Sequence, residues 1–209
     1  MGKQKTAHIA GDQRRRDIAR AARRIIAEKG LEGLRMRAVA DAVGINIATL
    51  HYHVTTKDDL LALVTDEIRA DFIAQHEQRG LSGGKGAIAQ LNQEFSDFSE
   101  NRVRRPILIA AFAELSRHAS RDEEVARRIH PLRDAWIAGF EKILRAGIEE
   151  GVFRDDLDTP AFATLIAAAL GGFGGEAASN DPTVMSRIFA ELMRSVLSPE
   201  GKETFDGNA

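Results

Sequence analysis

The sequence has no cysteine. Disulfides, thiolate zinc sites and cysteine nucleophiles are therefore excluded, and the composition fits a reducing compartment. No apolar run approaches the roughly 20 residues that a membrane span requires. The first residues, MGKQKTAHIAGDQRRRD, hold no apolar core, so no secretory signal is expected and the cytoplasm is the expected location. No segment alternates apolar and polar residues convincingly, which leaves strands out. No Ser-His-Asp order or paired-carboxylate motif stands out, so neither an enzyme nor a cofactor is expected, although triads are spatial rather than sequential. Two glycine-rich stretches, SGGKG at 82–86 and GGFGG at 171–175, lack the spacing of a phosphate-binding loop and follow no strand. A plain turn and close packing explain them better.

What is present is ordinary in bulk and uneven in charge. The 209 residues, 44% hydrophobic and 29% charged, suffice for one large or two small cored domains. Residues 1–60 hold twelve Lys/Arg against seven Asp/Glu, a net of +5, while the remainder holds seventeen against twenty-four, a net of −7. A basic head on an acidic body suits a DNA-binding module joined to one that does not bind DNA.

The basic head contains the most informative stretch, Arg37 to Lys57, RAVADAVGINIATLHYHVTTK. It reads as a short helix, a turn at Gly44 and a second short helix, Ile47 to His53: a helix-turn-helix whose second helix enters a DNA groove. Val39, Ala40 and Val43 face inward. Gly44 supplies the positive φ of the turn, and Asn46 caps the following helix. Leu50 is the inward anchor and Val54 closes the exit. Thr49, Tyr52 and His53 are left on exposed faces, able to donate to phosphates or base edges.

The rest of the chain is helical throughout. Residues 1–12 read as a flexible polar tail in which Lys3 and Lys5, with Arg14 to Arg16 beyond, either reach phosphates or are merely solvated. Ile18, Ala22, Ile25 and Ile26 mark one face of a first helix from about Gln13 to Lys29, stopped by Gly30. Thr56 caps a fourth helix whose Asp58 and Asp59 suit its positive dipole end. Leu60, Val64, Ile68 and Phe72 continue it to about Gln78, joining head to body without a linker. Gly80 to Gly86 breaks the chain. Ile88, Leu91, Phe95 and Phe98 line a fifth helix. ILIAAFAEL after Pro106 is apolar nearly all round and should be buried. Its Glu114 either faces a pocket or lies on the solvent edge, the latter being preferred. A seventh helical stretch, about Asp122 to Glu150, must kink or split at Pro131. Thr159-Pro160 and Asp181-Pro182 each pair a cap with proline at the first helical position. In the eighth helix Ala163, Ala167, Gly171 and Gly175 form a small-residue stripe that admits a close neighbour. Met185, Ile188, Leu192 and Val196 give the ninth an apolar face. Pro199 to Ala209 reads as a frayed tail.

The expectation is an all-α protein of about nine helices: an N-terminal three-helix helix-turn-helix domain, residues 13–60, continuous with a larger helical domain, residues 61–198. Metal binding is not expected. His51 and His53 lie roughly 200° apart around their helix, and His76, His118 and His130 are scattered.

From about Arg16 to Leu63 the sequence resembles the DNA-binding domain of the TetR family of transcriptional regulators. The likeness rests on Lys29-Gly30, Met36-Arg37, Val39-Ala40, Gly44-Ile45, TLHYHV at 49–54, and Lys57 with Leu60 and Leu61. The body's layout is similar to that family's ligand-binding and dimerisation domain. The resemblance implies base reading by Ile47, Ala48 and Thr49, and a base or phosphate contact by Arg37. It also implies phosphate contacts by His51, Tyr52, His53 and Lys57. Position 51 is His where the family usually has Tyr, and Ile47 and Ala48 stand where a polar residue or Gly is common. Apolar groups there touch thymine methyls but do not hydrogen-bond. The family's ligand cavity would be enclosed by helices carrying Phe95, Phe98, Phe112, Trp136 and Phe140. The dimer interface would use Ala163, Ala167, Gly171, Gly175, Ile188 and Leu192. The expected function is a homodimeric repressor released from a palindromic double-stranded operator by an unknown small-molecule effector. Two other readings stand beside it: a body that only binds partners, and a helical enzyme with a DNA-binding head.

Overall fold

Apolar residues spaced at three and four positions, bounded by Gly, Pro and capping side chains, produce ten α-helices among the described residues. The computed structural model describes residues 2–80, 86–173 and 182–206. No strand occurs among them, only a single antiparallel bridge between Phe153 and Leu197. No helix among them is long and apolar enough to cross a membrane.

The helices are α1 (Gly2–Lys29), α2 (Met36–Val43), α3 (Ile47–His53), α4 (Lys57–Gly80), α5 (Ala87–Arg104), α6 (Pro106–His118), α7 (Glu123–Glu149), α8 (Thr159–Phe173), α9 (Pro182–Val196) and α10 (Pro199–Asp206). A 3-10 turn, Leu31–Gly33, links α1 to α2. Helix α1 begins at Gly2, well before the expected start at Gln13. Helix α10 lies where a frayed tail is expected. Its start is built by Ser198, whose Oγ accepts from Gly201 N–H at 2.9 Å and donates to the Gly151 carbonyl at 2.7 Å. The cap of α8 is Asp158 rather than Thr159, because Asp158 Oδ1 accepts from Ala161 N–H at 3.1 Å. Helix α7 is not split: it runs through Pro131, which is exposed. Water can serve the carbonyl that the missing amide leaves unpaired.

The chain forms two compact units, one of residues 1–77 with 106–132, the other of 78–105 with 133–209. The first unit therefore takes in α6 and the start of α7, beyond the 13–60 segment named above. In it, Ile18, Ala22 and Ile26 of α1, Val39 of α2, Leu50 of α3, and Leu60, Val64 and Ile68 of α4 share one core. Leu108, Ala111 and Leu115 of α6, with Val125 and Ile129 of α7, complete it. In the second unit, Leu91, Phe95 and Phe98 of α5, Phe140 and Leu144 of α7, Ala163, Ile166 and Leu170 of α8, and Met185 and Met193 of α9 share another. Glu150 supplies the cap that α5 lacks in its own sequence, accepting from Ala87 N–H at 2.8 Å.

Candidate nucleic-acid interface

The turn between α2 and α3 is set by one residue. Gly44 sits at φ 75°, ψ 35°, a left-handed conformation that a side chain disfavours. Gly44 N–H donates to the Asp41 carbonyl at 3.2 Å and Ile45 N–H to the Ala40 carbonyl at 3.0 Å, which serves the last carbonyls of α2. Asn46 then opens α3, its side-chain oxygen accepting from Thr49 N–H at 2.7 Å. Both assignments match the sequence reading.

Helix α3 is held from behind by Leu50, fully buried, and Val54, nearly so. Burying one such side chain contributes about 1.5–3 kcal/mol, enough to hold a seven-residue helix that would not persist alone. The opposite face is open. Ile47, Ala48, His51 and Tyr52 are exposed, and Thr49 and His53 are half-buried. Tyr52 is 86% exposed. Its ring meets His53 edge-on with centroids 5.1 Å apart. Folding alone gives no reason to leave so large a ring in water, whereas a partner surface does. Arg37 on α2 and Lys57 at the start of α4 are exposed as well.

Three contacts support this surface; of these the sequence indicates only the Thr56 cap of α4. Arg15 of α1 donates to the His53 carbonyl at 2.8 Å. It thus serves the negative end of α3, a role beyond the phosphate reach or solvation considered for Arg14 to Arg16. The start of α4 is fixed by a reciprocal box: Asp59 N–H donates to Thr56 Oγ1 at 3.0 Å, and Thr56 N–H to Asp59 Oδ2 at 2.9 Å. Asp58, between them in the same turn, is gripped by Arg128 of α7. Thr56 and Asp59 are a readable signal; the partners of Arg15 and Asp58 are too distant in sequence to be read.

Glu114 is not on a solvent edge. It is buried, and its Oε1 accepts from Leu31 N–H at 3.0 Å and lies 3.2 Å from His118 Nδ1. Arg117 pairs with its other oxygen. An acid inside an apolar helix is accounted for by this job, which serves an amide that the 3-10 turn leaves without a helical partner.

The aromatic residues fall into two groups. Phe95, Phe98, Trp136 and Phe140 belong to the second unit's core. There Trp136 stands 5.4 Å from Phe140 and 6.2 Å from Phe98, while Phe95 stacks on Phe189 at 4.6 Å. Phe112 does not join them. It lies on α6 against the first unit's core, edge-on to Phe72 at 5.7 Å. The small-residue stripe also divides. Ala163 and Ala167 are already buried within the protomer, Ala163 in the second unit's core. Gly171 is exposed, Ile188 and Leu192 are half-buried, and Gly175 lies outside the described residues.

Comparison with known proteins agrees with this geometry. Residues 18–64 match the model of the bacterial regulatory proteins of the tetR family, and residues 88–198 match that of the BetI-type transcriptional repressor C-terminal domain. The chain is 24% identical over 204 residues to the HTH-type transcriptional regulator PksA of Bacillus subtilis (strain 168), covering 94% of this chain and 96% of that one. It is 26% identical over 166 residues to the HTH-type transcriptional repressor KstR2 of Mycobacterium tuberculosis (strain ATCC 25618 / H37Rv), covering 72% and 75%. The crystal structure of a TetR-family transcriptional regulator from Agrobacterium tumefaciens has the same fold, with a TM-score of 0.79 at 18% identity over 90% of this chain and 100% of that one. The chain belongs to the TetR family and is a DNA-binding transcriptional regulator.

Proposed function

We propose that the protein is a homodimeric repressor, acting in the cytoplasm, that reads a palindromic operator and leaves it when a small-molecule effector binds. The observation that carries the DNA reading is the split character of α3, with Leu50 fully buried and Tyr52 86% exposed on the same short helix. In this reading Tyr52, His53, His51 and Lys57 grip phosphates, which positions the protein without reading sequence. Thr49 and Arg37 carry the hydrogen-bonding readout, while Ile47 and Ala48 touch thymine methyls. DNA shape supplies the remainder of the sequence choice.

Dimerisation through α8 and α9 is supported by apolar groups left in solvent there. Leu165 is 52% and Val184 38% exposed. With Gly171, Ile188 and the edge of Leu192 they offer a face that a symmetry mate can cover. A two-fold dimer presents two recognition helices to successive major grooves. The effector is assigned to the second unit around Phe95, Phe98, Trp136 and Phe140. Helix α5, which carries Phe95 and Phe98, also buries two polar residues, Asp97 and Asn101, and small-molecule sites combine apolar and polar groups in this way. Effector binding would favour the conformer with weaker operator affinity, a population shift.

Duplex binding measured by fluorescence anisotropy at low salt tests the first part, with sedimentation for the dimer. No binding to any genomic fragment would sink the DNA reading, and a monomer would sink the palindrome. A thermal-shift screen of small molecules tests the effector.

A further inference from the structure

The first turn of α4 carries three consecutive charged residues with three different fates. Lys57 is exposed, Asp59 closes the box with Thr56, and Asp58 turns toward α7. Arg128 meets Asp58 as a fork, Nε donating to Oδ1 at 3.2 Å and Nη2 to Oδ2 at 2.7 Å. Glu124, one turn earlier on α7, stands beside the Asp58 carboxyl. The Arg128 guanidinium holds that carboxyl below its ordinary range, and the adjacent Asp58 pushes Glu124 above its own.

Stability is a poor explanation for this arrangement. Both partners are over a third exposed, at 39% and 34%, and exposed ion pairs contribute about 0–1 kcal/mol. Orientation is a better one, because a two-bond fork fixes angle as well as distance. The Thr56–Asp59 box starts the helix but does not aim it. The fork ties its first turn to a second helix. Asp58 lies in the segment matched to the family's DNA-binding model, and Arg128 in the segment matched to the repressor C-terminal model. The two residues are 70 apart in sequence.

We propose that Arg128 is a positioning residue for DNA binding: without touching DNA, it holds through Asp58 the turn that presents Lys57 to a phosphate. This rests on the reading of Lys57 as a phosphate contact. Arg128 thereby makes the grip of the DNA-binding segment depend on the placement of a helix from the regulatory segment. Beside the core that α4 and the start of α7 share, the fork passes any shift of α7 directly to the turn that carries Lys57.

The test is a double-mutant cycle on the full chain, with a mixed-sequence DNA duplex as probe and affinity measured over a salt series. Lys57→Ala should weaken binding and flatten the salt slope by about 0.9, one phosphate contact. Arg128→Ala should weaken binding about three- to tenfold and flatten the slope in the same way. In the Lys57→Ala background it should change neither. Arg128→Lys keeps the charge and stem but not the fork, and should fall between wild type and Arg128→Ala. Because it also preserves packing, it decides the matter if the alanine variant folds poorly. Wild-type affinity in both Arg128 variants would overturn the proposal. So would an equal loss with and without Lys57, which would make Arg128 an independent contact or a general stabiliser. Wild-type binding by Lys57→Ala alone would instead overturn the phosphate reading, and this inference with it.

Discussion

Glu114 of α6 accepts a hydrogen bond from the backbone N–H of Leu31, at 3.0 Å, across 83 positions of sequence. The amide follows Gly30, whose positive φ of 71° ends α1, and it has no helical acceptor of its own. The contact pins the exit of α1, and so the entry to α2, onto α6. Glu114→Ala leaves a buried donor unsatisfied, which costs about 1–3 kcal/mol. Urea denaturation should show a loss of that size. Glu114→Gln retains a carbonyl acceptor and loses only the charge facing Arg117 and His118, so it should lose less. Equal losses in the two variants would show that the charge, not the acceptor, matters.

Gly44 is a different kind of constraint. No atom beyond the adjoining residues lies within 4 Å of where its Cβ would stand, so Gly44→Ala meets no clash. The whole penalty is conformational, about 1–2 kcal/mol for a left-handed alanine. A drop in melting temperature with retained helical circular dichroism is expected. DNA affinity should fall too, because relief of the strain re-aims α3. Unchanged affinity would mean that the turn does not set the angle of α3.

These two residues show what could be read from the chain and what could not. The turn at Gly44, the cap at Asn46 and the inward positions of Ile18, Leu50 and Val54 all follow from local chemistry or from period, and all stand. Glu114 and Arg128 were opaque, because their partners are 83 and 70 positions away and no pattern marks a polar residue for a distant amide or carboxylate. Ala163 and Ala167 illustrate a third case. Small residues announce a close neighbour without saying whether it is the same chain's core or another subunit. The start of α10 is legible in the same local way: Ser198 places a capping hydroxyl directly before Pro199.

Glu67 of α4 introduces a pH dependence. It is flanked by Arg20 at 3.3 Å and Arg23 at 3.4 Å, with Asp71 on the same arginine at 2.6 Å. Burial raises its carboxyl above the ordinary value, Arg23 opposes this, Asp71 adds to it and Arg20 opposes it. A raised native value means that the folded state favours the protonated form. The associated stability is fully present below the unfolded value near 4.5 and is lost as pH rises through the raised one. Relative to Glu67→Gln, the wild type should therefore lose stability as pH climbs from 4 toward 7. Paired thermal melts across that range check the sign. A wild type that gains on the glutamine variant with rising pH would mean that pairing with Arg20 and Arg23 outweighs burial.

The recognition surface separates by what each side chain can sense. Lys57 and Tyr52 are assigned to phosphates, which are alike at every base pair. Lys57→Ala and Tyr52→Ala should then weaken operator and unrelated duplex by the same factor, leaving their ratio unchanged. Only Lys57→Ala should lower the salt slope, since neutral Tyr52 displaces no counterion. Thr49 is assigned to a base edge. Thr49→Ala should weaken the operator more than the unrelated duplex, by about 1–3 kcal/mol if the lost contact is a well-formed one. Its effect should centre on one base-pair position in each half-site. Binding to a panel of singly substituted operators reads this directly. A uniform loss across the panel would move Thr49 to the phosphate group and leave Arg37, Ile47, Ala48 and DNA shape as the sources of sequence choice.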